Sequence, residues 1–251
     1  MGHYKLIHSE LEVRKFYDLL GDLLPEEAYF LSMSARNKYL TEEERTAYNL
    51  GRTEMFARKL VKQRSFEVFM RTVRSFEVAY GGYLSRGNVP LPEKCLVVYA
   101  NVNPVSGRKA LQEFYSKTTQ LLFDLSTSPE VEYKLSGLDT ELMNCYQRAK
   151  GTKSLIDIDF DVPEEGFDLV DRFVVEMRDN GVTTHVIKTR SGYHVLLRRE
   201  DIKFNYVVVV STLHEEAVKR FGHAEVMVNA NQMVPMPGTM QAGHPVHFIE
   251  I

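Results

Sequence analysis

Apolar positions in the first half of the chain follow helical and strand-like periods in turn. Residues 10–24 repeat apolar side chains every three or four positions, which predicts an amphipathic helix. Residues 28–39 alternate apolar and small polar side chains, which predicts a strand. Residues 41–44 have the pattern of a helix-capping box, and we predict a second helix from there through a basic stretch to Arg64. Residues 65–80 fit a helix and a strand equally well.

The middle of the chain contains one apolar run and two helix-start signals. Residues 96–100 are continuously apolar and predict a buried strand that ends before Pro104. Ser106 is placed to cap a helix that reaches about Leu125, and residues 128–130 have the composition of a further helix start.

Short strand-like and helical segments alternate in the second half. The predicted helices cover residues 163–181 and 205–221, and the predicted strands cover residues 154–161, 183–188, 193–199, 224–229, 232–236 and 246–251. The order β-α-β-β-α-β from residue 154 is that of the ferredoxin-like, or RRM-like, fold. We therefore predict an α+β protein with an N-terminal αβ unit, residues 1–149, packed on a ferredoxin-like unit, residues 150–251. The helices of that unit should cover one face of its sheet and leave the other face free for chemistry.

Composition places the chain among soluble globular proteins. Its 251 residues are 44 % hydrophobic and 26 % charged, which is ordinary for such proteins. The two cysteines, Cys95 and Cys145, lie far apart without a CxxC pairing, which argues against a zinc ribbon and for a reducing compartment. The sequence contains no apolar run of membrane-spanning length and no signal peptide. We predict a cytoplasmic protein of a bacterial, archaeal or phage-infected cell, with no membrane partner.

Charge is distributed unevenly although the net charge is only −3. Residues 45–74 contain eight basic and two acidic side chains, whereas residues 155–180 contain nine acidic and two basic ones. A basic arm that faces an acidic pocket suits a phosphate backbone on one side and cations on the other. Two solvated helix faces would explain the same charges. The candidate nucleic-acid-binding residues are Arg52, Arg58, Lys59 and Lys62.

Three aspartates alternate with apolar residues between residues 156 and 161. Asp157, Asp159 and Asp161 share one face of the predicted strand, because residues two apart in a strand point the same way. Adjacent carboxylates on this face are about 7 Å apart and repel each other unless a cation lies between them. Mg²⁺ and Mn²⁺ prefer such oxygen ligands, so we favour metal binding over a strand with a merely acidic face.

Two later segments add candidate ligands for phosphate and metal. In the predicted hairpin, Lys188, Arg190 and Ser191 offer donors for phosphate, Gly192 allows close approach of the backbone, and His194 follows. Further along, Glu225 is a candidate metal ligand, and Thr239 is a candidate phosphate or sugar contact. His194 as a structural histidine and Glu225 as an exposed strand residue are the alternatives.

Together these segments resemble the archaeo-eukaryotic primase superfamily. Its signature is an hDhD strand (h is hydrophobic), a small-x-His strand, and a later strand in which an acidic residue follows a hydrophobic one. The matching segments in this chain, in the same order, are residues 156–159, 192–194 and 224–225. Residues 190–195 are similar to the Gly-Tyr-His segment of archaeal small primase subunits and ligase D polymerase domains. Residues 236–239 are similar to their Leu-Pro-Gly-Ser stretch, and the resemblance covers residues 150–248.

The resemblance implies a primase-polymerase catalytic domain that joins nucleotides on a template. It implies that Asp157 and Asp159 hold two Mg²⁺ or Mn²⁺ ions, and that Glu225 completes the catalytic site. The residues it assigns to the incoming triphosphate are Arg190, Ser191 and His194. The implied partners are a single-stranded DNA template and nucleoside triphosphates, and a longer polypeptide would add a helicase or primer-binding domain.

The chain departs from the family pattern at three points. Aspartate is usual where Glu225 stands, so Asn229 and Asn231 are alternatives for that position. The arginine common before the Pro-Gly pair is absent, since Gln232 and Val234 stand there. The zinc knuckle of many primases is also missing, so no zinc is expected.

Two other functions compete with the polymerase interpretation. A non-catalytic RRM-like module would bind single strands on exposed aromatic residues, whereas here the central strand displays aspartates that repel phosphates. A rolling-circle replication nuclease would use clustered histidines, for which His244 and His247 are candidates, but a strand puts these two on opposite faces. An EF-hand at the aspartates is excluded, because the required glycine and the closing glutamate are missing.

Overall fold

The chain is a mixed α+β protein built on two antiparallel sheets, as predicted. The computed structural model describes residues 2–127, 137–229 and 232–251. Its helices are α1 (Glu10–Leu19), α2 (Glu42–Tyr48), α3 (Phe66–Arg74), α4 (Gly107–Thr127), α5 (Leu138–Arg148), α6 (Phe167–Asp179) and α7 (Tyr206–Phe221). The strands of the N-terminal half are β1 (Glu27–Arg36), β2 (Thr53–Val61), β3 (Leu96–Asn101) and β4 (Val105–Ser106).

Eight more strands lie in the C-terminal part of the described chain. They are β5 (Leu155–Asp161), β6 (Thr184–Lys188), β7 (Tyr193–Arg198), β8 (Glu225–Val228), β9 (Met233–Pro235), β10 (Met240–Gln241), β11 (His244–Pro245) and β12 (His247–Ile249). None of the helices in the described ranges has the length and apolar character needed to cross a bilayer.

The first sheet has the order β11-β10-β3-β1-β2, with β4 paired to β1 and β9 paired to β3. Strand β1, which lies between β3 and β2, is buried on both faces. Leu31 and Met33 point into the main core, which also contains the apolar faces of α1 and α3. Phe30 points the other way, into a smaller core formed with α4 and α5. Strand periodicity therefore sorts neighbouring residues of β1 into two different cores.

The basic stretch does not form the predicted helix. The capping box is present, with Thr41 and Glu44 bonding each other's backbone, but α2 ends at Tyr48 and Asn49 follows in a left-handed conformation. The chain then turns back as β2, which pairs with β1 along its length. The Asn49–Gly51 segment stops the helix, and pairing with the buried β1 determines the strand.

The candidate nucleic-acid-binding residues are consequently spread over both sides of β2. Arg58 donates from Nη1 to Asn144 Oδ1 (2.7 Å) and to a backbone carbonyl of α5, and burial lowers the pKa of its guanidinium. Lys59 points to the opposite face, where its ammonium lies 5.7 Å from the ring centre of Phe76. Arg52 and Lys62 are exposed beyond the two ends of the strand. These four residues do not form one basic helix face.

The ambiguous segment after β2 is a helix. Ser65 caps α3 by accepting a hydrogen bond from the backbone of Val68, and its buried residues Phe69, Met70 and Val73 pack in the main core. The predicted cap at Ser106 is confirmed by its hydrogen bond from the backbone of Lys109. The helix start predicted at residues 128–130 lies outside the described residues.

The second sheet has the order β12-β6-β7-β5-β8. Strands β5, β6, β7 and β8, together with α6 and α7, form the predicted β-α-β-β-α-β unit. Ile158 and Phe160 of β5 pack against α6 and α7, so both helices cover the same face. The hairpin of β6 and β7 is confirmed. The strand predicted at the end of the chain is also confirmed, because β12 adds a fifth strand beside β6.

The opposite face of this sheet is only partly free, which corrects the prediction. Leu155, Ile187 and Leu196 on that face belong to the main core of the first unit. Buried Asn103 joins the two units, because it accepts hydrogen bonds from the backbone of Ser154 and Leu155 and donates one to the carbonyl of Leu155. Strands β9, β10 and β11 belong to the first sheet. The division at residues 149 and 150 therefore does not separate the two sheets.

Candidate functional site

The acidic strand β5 lies at the centre of the site. Its three aspartates occupy the face opposite Ile158 and Phe160. They differ in exposure: Asp157 is 1 % exposed, whereas the side chain of Asp159 is 39 % exposed. Asp159 and Asp161 line a cleft that Asp157 does not reach. Two of the three carboxylates are thus open to a ligand.

His194 of β7 lies between two of these carboxylates. It is paired with Asp159 across the strands, so both side chains are on the same face. Its Nδ1 donates to Asp157 Oδ1 at 3.1 Å, and its Nε2 is 3.8 Å from Asp159 Oδ1. Asn229, which follows β8, donates from Nδ2 to Asp157 Oδ2 at 2.6 Å. Asp157 is therefore a buried acceptor that orients His194 and Asn229.

Electrostatics in this cluster favour a charged imidazole. Burial by itself lowers the pKa of His194, but the charge of Asp157, their hydrogen bond and the charge of Asp159 outweigh it and raise the pKa to about 9. The pKa of Asp159 is also raised, but for a different reason. Burial raises the pKa of its carboxyl, and the charges of Asp157 and Asp161 add to this against the opposing effect of His194. The site is thus a cluster of like charges around one cation.

The raised pKa of His194 predicts a loss of stability at alkaline pH. The imidazole of His194 holds its proton more tightly in the folded state than in the unfolded state. The stability that this proton contributes is therefore complete below about pH 6.5 and disappears as the pH rises through about 9. We expect the free energy of unfolding to fall by about 3 kcal/mol at most over this range. Urea unfolding at several pH values would measure it, with His194→Gln as the control that should lack this fall. An identical fall in both proteins would contradict the assignment.

The cleft lies between the two sheets and has a volume of about 370 Å³. Asp159, Asp161 and His194 line it from the second sheet. The residues that line it from the strands of the first sheet are Ser34, Arg36, Thr53, Met55, Tyr99, Met233, Pro235 and Gln241. One wall is thus acidic, while the other combines a cation with hydroxyl groups and apolar side chains. A cleft of this size suits a small ligand with both charged and apolar parts.

The turn of residues 189–192 closes one side of the cleft. A Cβ atom at Gly192 would lie 2.1 Å from the carbonyl oxygen of Phe160. The glycine is therefore required for the close approach of this turn to β5. Ser191 and Gly192 line the cleft, and Ser191 Oγ accepts a hydrogen bond from Lys38 Nζ at 3.2 Å. The turn thus carries polar groups to the edge of the site.

Arg190 attaches this turn to Tyr39 and to the end of β10 in the first sheet. Its guanidinium lies 4.5 Å from the ring centre of Tyr39, and its Nη1 donates to the carbonyl of Ala242 at 2.8 Å. Its backbone N–H donates to Gln241 Oε1, and Gln241 Nε2 donates to the hydroxyl of Tyr39. These contacts position the turn and engage the guanidinium of Arg190 within the protein. The phosphate contact of Arg190 stays a prediction.

Three other candidates lie away from the cleft. Glu225 is exposed and is paired with Asp161 on β5, but it does not line the cleft. Thr239 is fully buried, and its hydroxyl donates to the carbonyl of Met236 at 2.7 Å. Lys188 pairs with Glu164 (2.8 Å), beside a smaller hollow. Asn229 contacts Asp157, whereas Glu225 lies beside Asp161 outside the cleft, and Asn231 lies outside the described residues.

Sequence reasoning missed the contributions of the first unit. Arg36, Lys38 and Tyr99 line the cleft, but none was a candidate. The signal was present in β1, where polar side chains at residues 32, 34 and 36 alternate with apolar ones. That alternation predicts a polar face. It does not predict that this face meets the aspartates of another sheet.

Two carboxylates in the open part of the site are available to a cation. Asp159 and Asp161 offer carboxylate oxygens at the cleft, and Mg²⁺ and Mn²⁺ prefer oxygen donors. Asp157 would reach a cation only by giving up its contacts with His194 and Asn229. Elsewhere in the described ranges, Glu113, Glu141 and Cys145 converge, but Lys117 and Arg148 already pair with both carboxylates. That cluster is an ion-pair network.

Comparisons of this chain with protein-family models, curated proteins and solved structures gave no match. The interpretation of the site therefore depends on its geometry and on the motifs of β5 and β7. Both motifs lie on adjacent central strands of one sheet, where they line the same cleft.

Proposed function

We propose that this chain is a template-directed nucleotidyl transferase, a primase-polymerase of the archaeo-eukaryotic primase type. One observation carries the proposal. Asp159, Asp161 and His194, from two adjacent strands of a ferredoxin-like sheet, line a single cleft that the first sheet closes from the other side. Acidic oxygens and a charged imidazole beside a nucleotide-sized cleft suit phosphoryl transfer.

In this proposal Asp159 and Asp161 hold the Mg²⁺ or Mn²⁺ ions. When bound, the metal neutralises charge on the transferring phosphoryl group and orients the attacking and leaving oxygens. Asp157 is assigned a different part from the one expected from its motif, because its carboxylate is buried behind His194. It is a positioning residue that fixes the direction of the imidazole.

His194 is proposed to bind the phosphates of the incoming nucleotide. Asp157 fixes its Nδ1, which leaves Nε2 directed towards the open carboxylate Asp159 and the cleft. A protonated imidazole donates charge-assisted hydrogen bonds, which are stronger than neutral ones. Because the pKa of His194 is raised to about 9, the ring carries its charge at neutral pH. Ser191 offers a hydroxyl group at the same edge of the cleft.

The alternatives explain this site less well. A single-strand-binding module would display aromatic side chains on the two central strands, but the cleft face here presents Asp159, Asp161 and His194. For a rolling-circle nuclease, His244 and His247 would have to converge. They pair in different sheets instead, His244 with β10 and His247 with β6.

Primer extension tests the proposal. The protein is incubated with a primed DNA template and, in parallel, an unprimed one, with nucleoside triphosphates and either Mg²⁺ or Mn²⁺. We expect products whose sequence follows the template and whose formation stops when the metal is chelated. Binding of single-stranded DNA without incorporation of deoxyribonucleotides or ribonucleotides, under any of these conditions, would support a binding module and contradict the proposal.

A further inference from the structure

The cleft wall opposite the aspartates carries two cations from the first unit. Arg36 is the last residue of β1, and Lys38 lies just beyond it in the short 3₁₀ helix Asn37–Tyr39. Both line the cleft, and Lys38 is close enough to Asp159 for its charge to lower the pKa of that carboxyl against the larger effect of burial. The acidic and basic walls therefore face one common space.

The hydrogen-bonding capacity of both cations is incompletely used. Arg36 Nη1 donates to the hydroxyl of Tyr99 at 2.7 Å, but its Nε is buried and has no hydrogen-bond partner in the described structure. Within the described ranges, Lys38 Nζ donates one hydrogen bond, to Ser191 Oγ, and lies 5.2 Å from the ring centre of Tyr39. Neither side chain forms an ion pair with a carboxylate of residues 2–127, 137–229 or 232–251. A buried N–H without an acceptor is unfavourable, and an anionic ligand in the cleft would supply one.

We propose that Arg36 and Lys38 bind the polyphosphate of the incoming nucleotide from the wall opposite the aspartates. The guanidinium group can bind phosphate oxygens through two parallel N–H donors, while the ammonium of Lys38 acts as a mobile point charge beside Ser191. This inference depends on the proposed function and extends it, since it assigns the phosphates to residues outside the ferredoxin-like sheet.

The dimensions of the cleft favour a nucleotide over a nucleic-acid backbone as the phosphate source. Its volume of about 370 Å³ lies in the range of small-ligand sites. Apolar side chains of Met55, Met233 and Pro235 line the same space, as a base or a sugar requires. The phosphates then lie between the cations of Arg36 and Lys38 and the cations held by the aspartates.

Isothermal titration with two probes tests this assignment. Deoxyadenosine triphosphate and inorganic tripolyphosphate are titrated, with Mn²⁺ present, into the wild type, Arg36→Gln and Lys38→Gln. We expect each substitution to weaken binding of both probes by about tenfold or more, since each removes a charged hydrogen-bond donor. Lys219→Gln is the control: it removes the same charge from an exposed position of α7, on the other side of the second sheet, and should bind like the wild type.

The outcomes separate the inference from the proposed function. If the wild type binds both probes and both cleft variants bind them equally well, the inference is overturned and the nucleotidyl transferase proposal stands. If the wild type binds neither probe, the proposed function fails together with the inference. Because Lys38 is exposed, Lys38→Gln should keep the wild-type melting temperature. A loss of affinity in that variant therefore reports lost binding, even if Arg36→Gln is unstable.

Discussion

Replacing Asp159 with asparagine (Asp159→Asn) is expected to reduce metal-dependent nucleotide incorporation on the order of 10²- to 10³-fold or more. The substitution keeps the shape of the side chain but removes the charge of the cleft carboxylate that lies opposite His194 across the strands. A metal that stabilises the transferring phosphoryl group contributes several kcal/mol, so weakening its site lowers the rate by this amount. Single-turnover extension of a primed template measures the lower rate, and Mn²⁺ titration measures the weakened metal binding.

Stability should respond in the opposite way to activity in this variant. The pKa of Asp159 is raised, first by burial and then by the charges of Asp157 and Asp161, so its ionised form is disfavoured in the folded protein. A neutral amide removes that repulsion, and the free energy of unfolding at neutral pH should be unchanged or higher. Asp179→Asn, at the exposed end of α6, is the matched control and should affect neither property. Full activity in Asp159→Asn would contradict the proposed metal site.

Replacing Asp157 with alanine (Asp157→Ala) is expected to lower the free energy of unfolding by about 3–5 kcal/mol. The carboxylate is 1 % exposed and accepts hydrogen bonds from His194 and Asn229. Its removal leaves the buried imidazole without the acceptor of its Nδ1 and takes away one of the acceptors of Asn229 Nδ2, which also donates to the carbonyl of Met233. Losing a buried partner costs more than losing a pair at the surface. Equilibrium unfolding in urea at neutral pH measures the change.

Asp161→Ala provides the comparison for this experiment. Asp161 lies on the same strand and the same face, but it is exposed, so its removal should change stability by no more than about 0.5 kcal/mol. The difference between the free energies of unfolding of the two variants therefore measures the effect of burial and hydrogen-bond partners, because both residues lie on the same face of the same strand. Equal stability of Asp157→Ala and Asp161→Ala would show that Asp157 does not anchor the cluster.

The expected results for Asp159→Asn and Asp157→Ala assign different roles to two residues of one sequence motif. Asp157 and Asp159 look equivalent in the alternating sequence, but one is proposed to hold the imidazole and the other to face the ligand. The arrangement places three carboxylates around His194, and their charges raise the pKa of its imidazole. Burial, together with the charges of Asp157 and Asp161, raises the pKa of the Asp159 carboxyl. Groups with shifted pKa values in a cleft are typical of functional sites.

Local patterns were sufficient for much of the second unit. Alternation correctly placed the aspartates on the face of β5 opposite Ile158 and Phe160, and turn residues correctly predicted the hairpin of β6 and β7. The helix predicted for the basic stretch was wrong, and the reason is also local. The capping box at Thr41 predicts where a helix begins but not how long it is, and the Asn49–Gly51 segment ends this helix after Tyr48.

By itself, the sequence determined which face of its strand or helix a residue of the second unit occupies, because the type of these elements was predicted correctly and the face follows from their backbone repeat. The order of strands and helices in the second unit followed as well. Only the tertiary structure decided which of the aspartate carboxylates are accessible from the cleft. Burial of Asp157 depends on His194 from one strand and Asn229 after another, and the basic wall depends on β1 of a different sheet. Such contacts join residues far apart in the chain, so no short-range periodicity encodes them.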